Sequence, residues 1–203
     1  MEEKVISLKE EAVRLMQISG NVRGEVFRAN AAYIKYREGE EGLLILEEKL
    51  EELGYPLKFQ GFKSFNWYPE SLSVLVILIA KEIFHWSEQD VFEMGNSAPK
   101  YSFIVQLLMR HFLSPRKCFA ESPKYWQAHF DFGEIETFEF NEKEKYLIFQ
   151  VKGYKFHPLI CIYHSGYFLR IAQLVIKSQK IKIKETKCVY KGDPYDEYLI
   201  SWQ

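Results

Sequence analysis

The sequence has few cysteines, no surplus of positive charge and no long apolar run. Its 203 residues carry 3 cysteines, Cys118, Cys161 and Cys188. An odd, sparse set with no Cys-x-x-Cys pair excludes a disulfide framework and suits a reducing cytoplasm. The formal net charge of −1 excludes a surface built to hold nucleic acid by bulk electrostatics. The most apolar run, Leu72 to Ala80, ends at Lys81 and Glu82. A membrane span needs roughly 20 apolar residues, so none is expected. The N-terminus, Met-Glu-Glu-Lys-Val, lacks the pattern of a signal peptide. There is no Gly-rich nucleotide fingerprint, no nucleophile–base set, no ATPase motif and no DNA-binding helix pair. These gaps make an enzyme the weaker expectation.

Apolar residues make up 47% and charged residues 27%, which is the balance of a globular chain. The length suits one domain over 1–203 with a real core. Aromatic residues reach 16%, with 16 Phe and 13 Tyr. They serve either a bulky core or the lining of a ligand cavity.

The first part of the chain, 1–132, reads as mainly helical. Periodic apolar residues predict helices over Val26–Tyr36 and Gly42–Leu53, the second stopped by Gly54 and Pro56. Lys58–Tyr68 is aromatic and irregular. Pro69 opens an apolar helix through Leu72–Phe84. Ser87 and Asp90 form a capping-box pattern, and a helix is expected over Ala98–Phe112. From 133 to 203 the pattern becomes β-β-α-β-β. Strands are expected at Glu134–Phe140, Lys145–Val151, Lys180–Cys188 and Glu197–Trp202, with a helix from Pro158 to Ser178. The expected class is α+β: an N-terminal helical layer packed on a C-terminal four-stranded antiparallel sheet. Lys180, Lys182 and Lys184 share one face of their strand and read as a solvated face or protected edge.

Strand alternation isolates two carboxylates. Glu185 is in phase with Ile181 and Ile183, and Asp196 with Tyr198, Ile200 and Trp202, so both project toward the apolar side. A buried carboxylate needs a cation, a metal or dense hydrogen bonding. Cys161 lies in the first turn of the helix after Pro158, with His164 nearly on the same face. Cys188 ends the third strand. Cys161, Glu185, Cys188 and Asp196 form a mixed sulfur and oxygen donor set that suits zinc better than magnesium or calcium. The alternative is two small apolar cysteines beside ordinary strand-end carboxylates. Cys188 is out of phase with Glu185, so one ion is reached by both only where the chain bends.

Three stretches carry a resemblance: His157-Pro-Leu-Ile-Cys161-Ile-Tyr163-His-Ser-Gly166-Tyr, Glu185-Thr-Lys-Cys188, and Gly192-Asp-Pro-Tyr-Asp196-Glu-Tyr-Leu-Ile-Ser-Trp202. Over about 133–203 the sequence resembles the 4-vinyl-reductase domain family. That family lies in a superfamily with the TRAPP Golgi tethering subunits and the sensor domains of phenol-responsive activators. The stretch Gly24 to Leu53 is similar to bacterial proteins with haem–nitric-oxide-sensor-like folds. The resemblance implies a structural zinc on Cys161, Glu185 and Cys188. The fourth position is Asp196 instead of Cys: it replaces the thiolate as an oxygen ligand, or the site has decayed, and His164 is a substitute donor. It also implies a pocket between helices and sheet. Candidate pocket residues, polar or aromatic within apolar helices, are His85, Trp86, His111, Trp126 and Tyr163.

The leading expectation from the sequence is a non-catalytic small-molecule-binding or sensory domain. It would take an apolar or aromatic ligand, pair with a second copy and pass its signal to another protein. The alternatives are an enzyme or accessory of tetrapyrrole vinyl reduction, a haem-based gas sensor, and a dimeric scaffold resembling TRAPP subunits. The related haem sensors hold the propionates with a Tyr-x-Ser-x-Arg motif. Here Tyr163-His-Ser165-Gly-Tyr167 puts Tyr in place of Arg, and on that ground haem is not expected.

Overall fold

Local signals in the sequence set the helix ends. The structure, a computed structural model, describes residues 7–102, 105–106 and 114–203. Helix α1 (Leu8–Leu15) starts at a capping box in which Ser7 and Glu10 satisfy each other's backbone N–H groups. Helix α2 (Gly24–Glu52) contains both expected helices and the kink between them, at Gly39. Gly39 has φ 78° and ψ −177°, a conformation that only glycine adopts at low cost. Helix α3 (Glu70–Ile83) follows Pro69 directly. Helix α4 (Glu88–Tyr101) begins at the expected Ser87–Asp90 capping box. Only the first four residues of the expected Ala98–Phe112 helix belong to α4, and most of the rest lie outside the described residues. Two short helices, α5 (Pro115–Ala120) and α6 (Ser122–His129), lead to the sheet.

The sheet half follows the expected β-β-α-β-β order. Strands β3 (Glu134–Asn141) and β4 (Tyr146–Lys152) precede helix α7 (Leu159–Val175). Strands β5 (Ile181–Lys187) and β6 (Asp196–Trp202) follow it. All pairings are antiparallel, in the order β3-β4-β6-β5. The protein is thus α+β, as expected. Not anticipated was a small antiparallel pair, β1 (Asn21–Arg23) with β2 (Trp67–Pro69). It fixes the aromatic 58–68 segment, and the Arg23 guanidinium lies 3.7 Å from the Trp67 ring centre. No described helix is long and apolar enough to cross a membrane.

Helices α4 and α7 meet backbone to backbone. A Cβ at Gly95 would sit 1.9 Å from the Tyr163 carbonyl oxygen, and one at Gly166 would sit 1.9 Å from that of Phe92. Asn96 Nδ2 donates to the Gly166 carbonyl (3.2 Å), and Arg170 Nε donates to that of Asn96 (3.1 Å). Helix α7 is thereby clamped between α4 and the sheet. Buried apolar residues of both halves, such as Phe27, Ile77, Phe149 and Tyr198, belong to one cluster.

Candidate functional site

A cavity of about 130 Å³ lies where α2, α3, α5, α6 and α7 face β3 and β4. Its wall is mostly apolar, with a small set of polar groups that come from different elements. Glu25 on α2 accepts from Ser102 Oγ at 2.8 Å. Glu70, the first residue of α3, accepts the Tyr154 phenolic hydrogen on Oε1. Tyr163 donates to Asn30 Oδ1 at 3.0 Å. Among the described lining residues there is no lysine or arginine.

Among the described residues, two histidines line this cavity. His129 ends α6, four residues after Tyr125, and its Nδ1 lies 2.9 Å from the Tyr125 carbonyl. That contact makes Nδ1 the protonated nitrogen and leaves Nε2 with its lone pair. Nε2 is buried and has no hydrogen-bond partner among the described residues. Burial lowers the pKa of His129. A carbonyl on one nitrogen and a free lone pair on the other is the arrangement of a metal-ligating imidazole. His164, on α7, lies among the rings of Tyr154, Trp126 and Phe168. Burial pushes its pKa down to about 3, so it is neutral at physiological pH.

Glu70 is also set by burial. It is 4% exposed, and among the described residues it forms no ion pair. Burial pushes its pKa up to about 8, and the Tyr154 and Ser73 hydroxyls offset only part of that. The same burial raises the phenols of Tyr154, Tyr163 and Tyr167.

Cys161, Glu185, Cys188 and Asp196 do come together. Their candidate donor atoms all lie within 4.8 Å of one another. The thiol sulfurs are 3.8 Å apart, and Cys161 Sγ is 3.9 Å from Asp196 Oδ1. The required bend is a β-bulge between Glu185 and Lys187, which turns Cys188 to the inner face. Asp196 Oδ1 accepts from the Val189 N–H at 2.8 Å, and Glu185 Oε2 pairs with Lys191 Nζ at 2.9 Å. Glu185 Oε1 has no hydrogen-bond partner among the described residues. Burial raises the pKa values of both thiols and of Asp196. His164 is not part of this set.

Of the candidate pocket residues, Trp126 and Tyr163 line the cavity. His85 and Trp86 do not. His85 is exposed at the end of α3 with φ 53°. Trp86 is buried elsewhere, against Tyr33, with Nε1 donating to Glu38. His111 lies outside the described residues. Glu70, Tyr154 and His129 were not anticipated. The carboxylate that opens the apolar 70–83 run was the available signal for Glu70. The contacts of Tyr154 and His129 depend on long-range packing and have no local signature.

No family model matches the sequence, and no curated protein matches it. Solved structures do share the fold. An H-NOX protein from S. oneidensis in the Fe(II)NO ligation state has a TM-score of 0.67 at 14% identity, covering 89% of this chain and 99% of that one. An unliganded Fe(II) H-NOX protein from K. algicida has a TM-score of 0.61 at 13% identity, over 89% and 96%. An oxygen-binding H-NOX domain related to soluble guanylate cyclases has a TM-score of 0.62 at 9% identity, over 89% and 95%. At such identities the likeness establishes the fold alone.

These matches overturn several expectations. The fold is shared with H-NOX domains, so assignment to the 4-vinyl-reductase family and the TRAPP-like reading are corrected. The main functional expectation, a general apolar-ligand domain with a structural zinc, is corrected too, because the matched structures are H-NOX proteins and nothing among them supports zinc. The expectation that haem is absent is also corrected, since the matched structures are described as Fe(II) H-NOX proteins. It rested on a five-residue motif read as a linear unit. In the fold those residues are helical: Tyr163 and Tyr167 face the cavity, while Ser165 Oγ bonds back to the Cys161 carbonyl.

Proposed function

We propose that this chain is a haem-based gas-sensor domain that holds haem in the cavity through His129. The observation that carries the reading is the unpartnered, buried His129 Nε2 in an apolar cavity of a fold shared with H-NOX proteins. Imidazole is a common axial ligand of haem iron. The Tyr125 carbonyl fixes the tautomer and orients the ring. Trp126, Phe130 and Phe168 supply apolar wall. When bound, haem supplies an iron that takes a diatomic gas. The cavity is smaller than a porphyrin, so its walls would have to part for haem to enter. No described lining residue is a cation that would meet the propionates. The three free thiols suit a cytoplasmic setting, and the signal passes to another protein chain.

Haemin titration tests this. A Soret band should form on the native protein, weaken or shift in His129→Ala, and return with added imidazole. His164→Ala and His111→Ala should keep the native spectrum. A native protein without a Soret band, or a His129→Ala variant with an unchanged one, would overturn the reading.

A second, separate site is proposed at Cys161, Glu185, Cys188 and Asp196, for a metal ion. Four donor atoms from α7, β5, β6 and the segment after β5 converge, and Glu185 Oε1 is unpartnered. A cation there would hold α7 to the β5–β6 hairpin. Elemental analysis of protein purified without chelator, compared with Cys188→Ser, decides it. Equal, near-zero metal content in both dismisses the site.

A further inference from the structure

The second half of α2, beyond the kink at Gly39, keeps two large apolar side chains in solvent. Leu44 is 57% exposed and Ile45 43%. The helix turns its other leucines inward: Leu46 and Leu50 are fully buried, and Leu43 packs on the same core. Leu44 thus sits at the centre of the outward face. Glu41 lies one turn before it, Glu48 one turn after and Glu51 two turns after. All three are exposed, as are Glu40 and Glu52. Residues 40–52 hold six glutamates and one lysine.

This face works against its own helix. Glu48 stands one turn from Glu51 and Glu52, a spacing at which like charges repel. Glu51 and Glu52 also occupy the last turn of α2, where the helix dipole is negative and cations are favoured. The cations nearby are taken. Lys49 pairs with Glu52 at 2.8 Å, Lys58 with the buried Glu47 at 3.0 Å, and Lys35 with Glu40. Among the described residues, Glu41, Glu48 and Glu51 form no ion pair. An apolar pair set in uncompensated negative charge gives the isolated chain nothing, and local rules are broken in this way mainly where function requires it.

The charge of the face decides what covers it. A nucleic acid or an anionic bilayer would be repelled. A second copy laid face to face would set the same acids against one another. What fits is a segment with apolar residues for Leu44 and Ile45 and cations around them. We propose that residues 41–52 of α2 form a docking face for a basic amphipathic helix of a partner protein. Its apolar side chains cover Leu44 and Ile45, and its lysines or arginines meet Glu41, Glu48 and Glu51. Helix α2 also lines the cavity through Glu25, Val26 and Ala29, so the partner holds the same helix that a cavity ligand touches. The docking face needs no occupant in the cavity and stands apart from the haem reading.

The probe is a synthetic peptide of about 18 residues, leucine at every third or fourth position and lysine elsewhere, long enough to form a helix. It is titrated into the isotope-labelled chain, without added haem, while amide shifts are followed by NMR. The changes should fall on residues 40–52. Leu44→Ser combined with Ile45→Ser should weaken binding about tenfold. Glu41→Gln, Glu48→Gln and Glu51→Gln together should weaken it and flatten its salt dependence. These five positions are exposed, and thermal melts should show both variants folded, the glutamine variant no less stable than the native protein. Glu142→Gln with Glu144→Gln, in the exposed turn between β3 and β4, should bind as the native protein does.

Shifts spread over the exposed acids of the whole chain, or a serine variant that binds as tightly as the native protein, would overturn the proposal. Sedimentation of the chain alone tests the remaining occupant. A dimer that the serine variant dissolves would make that occupant a second copy, seated by its Lys182 and Lys184 face, and would overturn the proposal as well.

Discussion

Gly95 and Tyr163 meet with no room for a side chain between them: a Cβ on Gly95 would lie 1.9 Å from the Tyr163 carbonyl oxygen. The contact sets how deeply α7 sits against α4. Tyr163 also reaches Asn30 on α2 and lines the cavity. The depth of the cavity and the closeness of two helices are therefore one structural fact.

Gly95→Ala should be severely destabilising. Overpacking costs about 1–3 kcal/mol where side chains can adjust. Here the opposing atom is backbone, so the loss should be at the upper end or beyond. Urea denaturation measures it, and a loss under about 1 kcal/mol would show that the helices separate easily.

Gly39→Ala tests a different cause. Nothing lies within 4 Å of a Cβ built there, yet φ is 78°. The cost is purely conformational and should be about 1–3 kcal/mol. Loss of stability with an unchanged fold by NMR is expected. Full native stability would show that the α2 kink relaxes.

Glu70 gives stability a pH slope with a definite sign. Its pKa rises from 4.5 to about 8 on folding. Between those values the folded chain holds a proton that the unfolded chain has released. Raising pH across the window therefore favours unfolding, with a loss of roughly a few kcal/mol completed above about pH 8. Thermal melts of native protein and Glu70→Gln from pH 5 to 9 should show a shallower slope in the variant. Parallel curves would mean that Glu70 is solvated.

His164 gives the opposite slope on the acid side. Its pKa falls from 6.5 to about 3 on folding. Below 6.5 the unfolded chain binds a proton that the folded chain refuses, so stability drops as pH falls through the window. His164→Phe keeps an aromatic ring against Tyr154 and Phe168 and removes this term. The variant should gain on the native protein steadily as pH drops from 6.5 toward 4. A constant difference would place His164 in contact with water.

Much of the fold was legible because its signals are local. Ser87 and Asp90 marked the start of α4, the Ile181–Ile183–Glu185 alternation marked β5, and Pro69 marked α3. The Cys161–Asp196 cluster was legible because strand phase is a local property of two strands. The cavity was not. It needs Glu70 of α3, His129 of α6 and Tyr154 after β4, which are far apart in sequence and meet only through tertiary packing. Resemblance by short motif misled for a related reason. The Tyr163-His-Ser165-Gly-Tyr167 string carried meaning as a linear unit, but α7 distributes its side chains around a cylinder.

The bulge in β5 works as a change of parity. Before it, odd-numbered residues Ile181, Ile183 and Glu185 turn inward; after it, the even-numbered Cys188 does. Thr186, the extra residue, ties the step to β6 by donating to the Glu197 carbonyl at 3.2 Å. The bulge in this strand is thus more constrained than the composition. The lysine face can vary, but Thr186 paired into regular alternation, without the bulge, would send the Cys188 thiol outward. The strand would keep its sequence chemistry and lose the convergence with Cys161 and Asp196.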